Sequence, residues 1–170
     1  SIFDFNGNKI KNINNSDDKT LIINSYFDHL LSKYYIIAGN DSNIKSYDYD
    51  KNEIYHIYND KNNNVKHFDF IVSDNNNVII LIDSCDDGFI RIWSFHSCIL
   101  IKKIFIGEWV FSMCLWNDNY LFAGCKKNIK LIELKNGLIV KNVKCHNKYV
   151  GLKKIIHPNY GECLITQNCL

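Results

Sequence analysis

Three stretches of the chain repeat one another: AGNDSNIKSYD (residues 38–48), SCDDGFIRIWS (84–94) and AGCKKNIKLIE (123–133). Each reads as two small residues, a polar turn, an alternating strand, a bulky anchor and a polar residue. The anchors are Tyr47, Trp93 and Ile132. A fainter copy opens the chain with Phe3-Asp4 in the place of Trp93-Ser94, so successive anchors stand 44, 46 and 39 residues apart. A unit recurring at this period cannot bury its apolar face alone and has to stack on its neighbours.

The residues between the anchors say what each unit is made of. Apolar runs are short, β-branched and aromatic, and clusters of Asn, Asp, Gly and Lys interrupt them every 5 to 8 residues, as in YYIIAGNDSNIKSYDYDKNEIYHIY. That is hairpin punctuation. The nearest helical candidate, SYFDHLLSKYY (25–35), is flanked by strand-like runs and reads as a strand, a loop and the next strand. Pro158 is the sole proline, so Gly and Asn must supply most of the tight turns. Four antiparallel strands per unit at a period of about 40–45 residues make a β-propeller blade, and the chain is expected to be all-β.

With strands a to d counted from the channel outward, whole blades are placed at 20–58, 65–105 and 109–143. Residues 1–19 hold strands c and d of a preceding blade, and 146–170 hold strands a and b of a following one. Blades pack face to face, so inner strands such as VIILID (78–83) and YYIIAG (34–39) read as continuous apolar runs. Ala38-Gly39, Ser84-Cys85 and Ala123-Gly124-Cys125 let blades approach closely, which makes Cys85 and Cys125 small core residues rather than ligands or nucleophiles.

The chain resembles the WD-repeat family over essentially its whole length, most sharply in DDGFIRIW, where Asp87 precedes Trp93 by six residues; Asp41 and Tyr47 keep that spacing. The Gly-His that the family carries before its innermost strand is represented by Gly107-Glu108 and Cys145-His146. The resemblance implies a buried hydrogen-bond network of Asp, His, Ser or Thr, and Trp. Lys126 stands where the third repeat should have Asp, and Ile132 where it should have Trp, so a partial network around Asp87 and Trp93 is the most expected. The resemblance further implies a non-catalytic scaffold for other proteins, read here as part of a larger, seven-bladed propeller. The alternatives are a complete four-bladed ring and a propeller with a ligand or catalytic site in its channel.

Composition closes off other functions. The chain has 20 basic and 18 acidic side chains and one arginine, Arg91, which argues against specific nucleic-acid recognition and excludes the paired-Arg motif of phosphoinositide-binding propellers. Lys102-Lys103, Lys126-Lys127 and Lys153-Lys154 read as solvated strand ends. The seven cysteines form no CxxC pair, and an odd count argues against a disulfide framework, so the expected compartment is reducing, cytoplasmic or nuclear. No apolar window reaches membrane-helix length. The six histidines are scattered without a nucleophile or a second ligand pair, so no catalytic residue, metal or cofactor is expected.

What remains is protein recognition on the face built by d-to-a and b-to-c turns. Those turns hold Asn40, Asp41, Asp86, Glu108, Trp109, Lys126, Lys127, His146, Lys148 and Tyr149. Trp109 and Tyr149 are the expected aromatic anchors.

Overall fold

The structure is a computed structural model that describes residues 1–13, 20–40, 42–60, 67–75, 78–145 and 150–168. Hairpin punctuation becomes three four-stranded antiparallel sheets, each in simple chain order. The first comprises β3 (Thr20–Asp28), β4 (Lys33–Asn40), β5 (Ile44–Asp48) and β6 (Glu53–Tyr58). The second comprises β7 (His67–Asn75), β8 (Val78–Cys85), β9 (Phe89–Ser94) and β10 (Leu100–Phe105). The third comprises β11 (Val110–Asn117), β12 (Tyr120–Cys125), β13 (Asn128–Glu133) and β14 (Leu138–Lys144). Two-stranded ribbons, β1 (Ile2–Phe3) with β2 (Lys9–Lys11) and β15 (Val150–His157) with β16 (Gly161–Asn168), are separate sheets. Among the described residues there is no helix.

Asparagine and aspartate close the hairpins by folding their side chains onto the turn amides. Asp28 Oδ1 accepts from the Leu30 and Leu31 amides at 2.9 and 3.0 Å, which ends β3 inside the one stretch that could have read as helix. Asp48 takes the Asp50 and Lys51 amides, both at 3.0 Å, and Asn117 does the same for Asn119 and Tyr120.

The sheets repeat one another beyond their anchors. Each first strand has a register shift near its start, at Thr20/Ile22, His67/Asp69 and Val110/Ser112. Each outermost strand pairs with a shift opposite or next to the anchor, at Ser46/Tyr47, Leu100/Lys102 and Leu131/Ile132. Such bulges strengthen the twist and blunt the outer edge against stray pairing.

The core lies between sheets. Tyr35, Ile37, Ile44 and Tyr58 of the first meet Phe70, Leu81, Trp93 and Phe95 of the second. On the far side of the second sheet, Ile82, Ile90, Ile92 and Ile104 meet Val110, Met113, Leu121 and Ile132. The anchors Trp93 and Ile132 thus each face the preceding sheet. Cys85 and Cys125 are fully buried in these layers, and burial pushes the Cys125 thiol up to about 12, as inert core residues require.

At the seam of the first two sheets, Tyr58 donates to the Phe95 carbonyl at 2.6 Å, and the Tyr35 and Phe95 rings meet edge to face. His96 Nε2 lies 3.0 Å from Oδ2 of the fully buried Asp28. No hydrogen bond to that oxygen is formed among the described residues.

Polar contacts also join the innermost strands. Asp69 Oδ2 on β7 accepts from the Met113 amide on β11 at 2.5 Å, and Ser112 Oγ accepts from the Leu152 amide on β15 at 3.1 Å. Burial raises the Asp69 carboxyl from 3.8 to about 6, outweighing the Met113, Phe70 and Ser112 hydrogen bonds that favour the anion. A carboxyl whose folded-state value is raised stabilises the fold fully below its unfolded value, and that contribution is lost as pH rises through the folded one. A rise of this size corresponds to about 3 kcal/mol. The stability of the native chain relative to Asp69→Asn is therefore expected to fall by about that amount between pH 4 and pH 7. Urea titrations of both proteins in matched buffers check this, and a difference independent of pH would disprove it.

Candidate functional site

The turns at one end of the sheets are held by close backbone approach. In the β8–β9 turn, Asp87 Oδ1 takes the Phe89 amide at 3.1 Å, fixing the hairpin, and Gly88 stands at φ 78°, a conformation natural to glycine. The Gly88 carbonyl accepts the Ile106 and Gly107 amides at 2.8 and 3.2 Å, which ties this turn to the segment leaving β10. A Cβ at Gly88 would stand 3.2 Å from the Glu108 amide nitrogen, so the close approach needs glycine.

Behind the turn, the fully buried Arg91 binds both Asp87 oxygens. Its Nε donates to Asp60 Oδ2 at 3.1 Å and its Nη1 to the Cys85 sulfur at 3.1 Å. Asp60 also takes Lys103 Nζ at 2.6 Å. Lys103 first, and then Arg91, hold the Asp60 carboxyl below its ordinary value against the effect of burial. The Cys85 thiol donates to Asp83 Oδ1 at 3.2 Å, and Asp83 Oδ2 accepts the Trp93 indole N–H. The network around Asp87 and Trp93 thus has its own form. Asp83 on β8 holds the indole, Arg91 on β9 holds Asp87, and Cys85 joins the two halves.

The arrangement recurs in the third sheet. Lys130 donates to Glu108 Oε1 at 2.8 Å and to the Ile106 carbonyl at 2.9 Å, and Asn128 Nδ2 reaches the same glutamate at 3.0 Å. In the first sheet the equivalent residue is Lys45, 6% exposed. Each whole sheet therefore carries a buried cation two residues before its anchor. In the second and third sheets that cation reaches a carboxylate on the turn leading in from the preceding sheet. In the sequence Arg91 stands out only as the chain's one arginine, and none of Lys130, Lys45, Asp60 and Asp83 stands out as a site residue. The signal was present in the recurrence of a basic residue between apolar neighbours in NIKSY, FIRIW and NIKLI.

The expected recognition residues divide into two groups. Asn40 is 2% exposed and folds its Oδ1 onto the Ser42 and Asn43 amides, both at 2.8 Å, so it serves its own turn. Glu108 and Asp87 are engaged as above, and Tyr47, Trp93 and Ile132 are core. Trp109 is 50% exposed, with its ring edge-on to Phe111. It borders a notch of roughly 180 Å³ with Asp86, Gly88, Phe105, Gly107 and Glu108. Lys126 and Lys127 are exposed at the β12–β13 turn. Asp41, His146, Lys148 and Tyr149 lie outside the described residues.

The other lysine pairs behave differently. Lys102 donates to the Leu134 carbonyl at 3.0 Å, Lys103 serves Asp60, and Lys154 binds the Trp116 carbonyl at 2.7 Å and Glu162 at 2.5 Å.

No protein-family model and no curated protein sequence matches the chain. Its fold is similar to those of solved structures, WD40 propellers among them. The computationally designed Ika4 protein matches with a TM-score of 0.66 at 13% identity, over 95% of this chain and 98% of that one. The WD40 repeats of RRP9 match with a TM-score of 0.61 at 14% identity, over 69% of this chain. The WD40 β-propeller domain of Doa1 matches with a TM-score of 0.59 at 12% identity, over 77% of this chain. The chain spans 38% and 44% of those two WD40 chains. At these identities the likeness is one of fold.

Proposed function

We propose that this propeller chain is a non-catalytic protein-interaction scaffold of the WD-repeat type, a segment of a larger propeller whose partners dock on the face carrying the β8–β9 and β12–β13 turns. The blade boundaries proposed are 20–58, 65–105 and 109–143, with half-blades at 1–19 and 146–170. That the chain spans less than half of the WD40 chains it resembles supports reading it as a segment. The match with the designed Ika4 protein, over 95% of this chain and 98% of that one, supports the alternative of a complete four-bladed ring.

The observation that carries the docking face is Trp109. Its neighbour Val110 is fully buried and Trp109 is 50% exposed, so Val110 does the packing and the indole is left at the rim of the notch. An aromatic held on a rigid turn offers contact area at small entropic cost. Trp109→Ala is expected to change folding stability by less than about 1 kcal/mol.

Site-specific photo-crosslinking checks the docking role. A photoreactive residue placed at 109 or 126 should capture partner proteins in extracts of the host cell. The same residue at 30 or 135, in turns at the other end of the sheets, should not. Capture from 30 or 135 alone would place the partner surface elsewhere. A marked loss of stability in Trp109→Ala would make the indole a packing residue.

A further inference from the structure

The polarity of this face points to the chemistry of its partner. Val110 pairs with Cys125, so Trp109 and Lys126 are the next facing residues beyond the ladder. The Lys127 carbonyl accepts the Cys145 amide at 2.8 Å, and Lys144 pairs with Asn128, which brings a third exposed lysine to the same end of the sheet. The carboxylate nearest in sequence to Trp109, Glu108, already serves Lys130 and Asn128. Among the described residues, no carboxylate stands within ion-pair distance of Lys126, Lys127 or Lys144. Lys102, Lys103 and Lys154, by contrast, are drawn into internal bonds. At the end of the third sheet the acids are used inside the fold, and the cations face outward beside a half-exposed indole.

We propose that the end of the third sheet, Trp109 with Lys126, Lys127 and Lys144, docks an acidic peptide segment that lays an apolar side chain on the indole and its carboxylates against the lysines. This inference rests on the docking-face reading above. Electrostatic complementarity of this kind sets partner choice and association rate. A nucleic acid fits less well. The single arginine is buried, and one indole makes no stacking track.

The test is selection of a random twelve-residue peptide library on the immobilised full chain. The expected result is enrichment of peptides with Asp or Glu flanking an apolar residue. Their affinity should fall about tenfold for Lys126→Glu/Lys127→Glu, weaken with added salt and fall in Trp109→Ala. The charge control Lys51→Glu/Lys135→Glu, at the other end of the sheets, should leave it unchanged. Circular dichroism melting verifies that each variant is folded.

Peptides without acidic bias, no enrichment, or acidic peptides indifferent to Lys126 and Lys127 would overturn the inference. Basic peptides whose binding still depends on Trp109 would overturn it while leaving the docking face intact, and binding indifferent to every substitution on this face would remove both. Tighter, Lys126-dependent binding of a single-stranded oligonucleotide would assign the lysines to nucleic acid instead.

Discussion

Arg91→Ala is expected to lower the stability of the chain by about 3–5 kcal/mol, the usual cost of removing one partner from a buried ion pair. The substitution leaves Asp87 and Asp60 facing a cavity without their guanidinium, and it removes the donor to Cys85. Arg91→Lys should be milder, at roughly 1.5–3 kcal/mol, the size of a lost charge-assisted hydrogen bond. The fold itself supplies the precedent, since Lys130 and Lys45 occupy the equivalent places. Urea midpoints at constant slope provide the measurement. Equal losses for alanine and lysine would show that the forked geometry of Arg91 carries the whole effect, since lysine keeps the charge and most of the volume. A double-mutant cycle with Asp60→Asn isolates the link between the first and second sheets, and a coupling below about 0.5 kcal/mol would disconnect them.

The second large effect is expected at Trp93. Trp93→Ala should cost about 3–5 kcal/mol, because a buried aromatic is replaced by a cavity between Tyr58 and Phe95 of the adjoining core. Trp93→Phe retains most of the packing but removes the donor to Asp83 Oδ2. It is expected to cost about 1–3 kcal/mol, the penalty of a buried acceptor left without its partner. The two variants separate the indole's roles in volume and in hydrogen bonding. If phenylalanine proves as harmful as alanine, the bond to Asp83 dominates, and if it is neutral, packing alone matters. Because Trp93 faces the first sheet, the loss should appear as weakened docking between sheets. Hydrogen exchange should therefore rise at Tyr35, Ile37 and Ile44 as well as in β9.

Strand placement and turn chemistry were legible in the chain because both are local. Alternation along FIRIW, the small residues before each turn, and the Asn and Asp residues that fold onto turn amides act over a few residues. The reading of 25–35 as strand, loop and strand rests on the same chemistry, with Asp28 ending one strand and Lys33 opening the next. The anchors were legible as well, since large residues at a fixed interval have few places to go except between stacked sheets.

The candidate site was only partly legible. Trp109, Lys126 and Lys127 could be named from their turns. That Asn40 and Glu108 are used inside the fold could not, because their partners depend on how turns from different strands meet. In the sequence Arg91 bears only on phosphate recognition, as the chain's one arginine, whereas in the structure it is a buried link among Asp60, Asp87 and Cys85.

By itself, the sequence determined a stack of short antiparallel sheets with a bulky anchor in each, since strand alternation, turn residues and the repeat interval all act within one unit. Only the tertiary structure decided which charges are spent and which remain. Asp60 and Arg91 are 31 residues apart, and Asp69 and Met113 are 44 apart. Those pairings depend on the twist between neighbouring sheets and the path of the turns joining them, which no local pattern encodes.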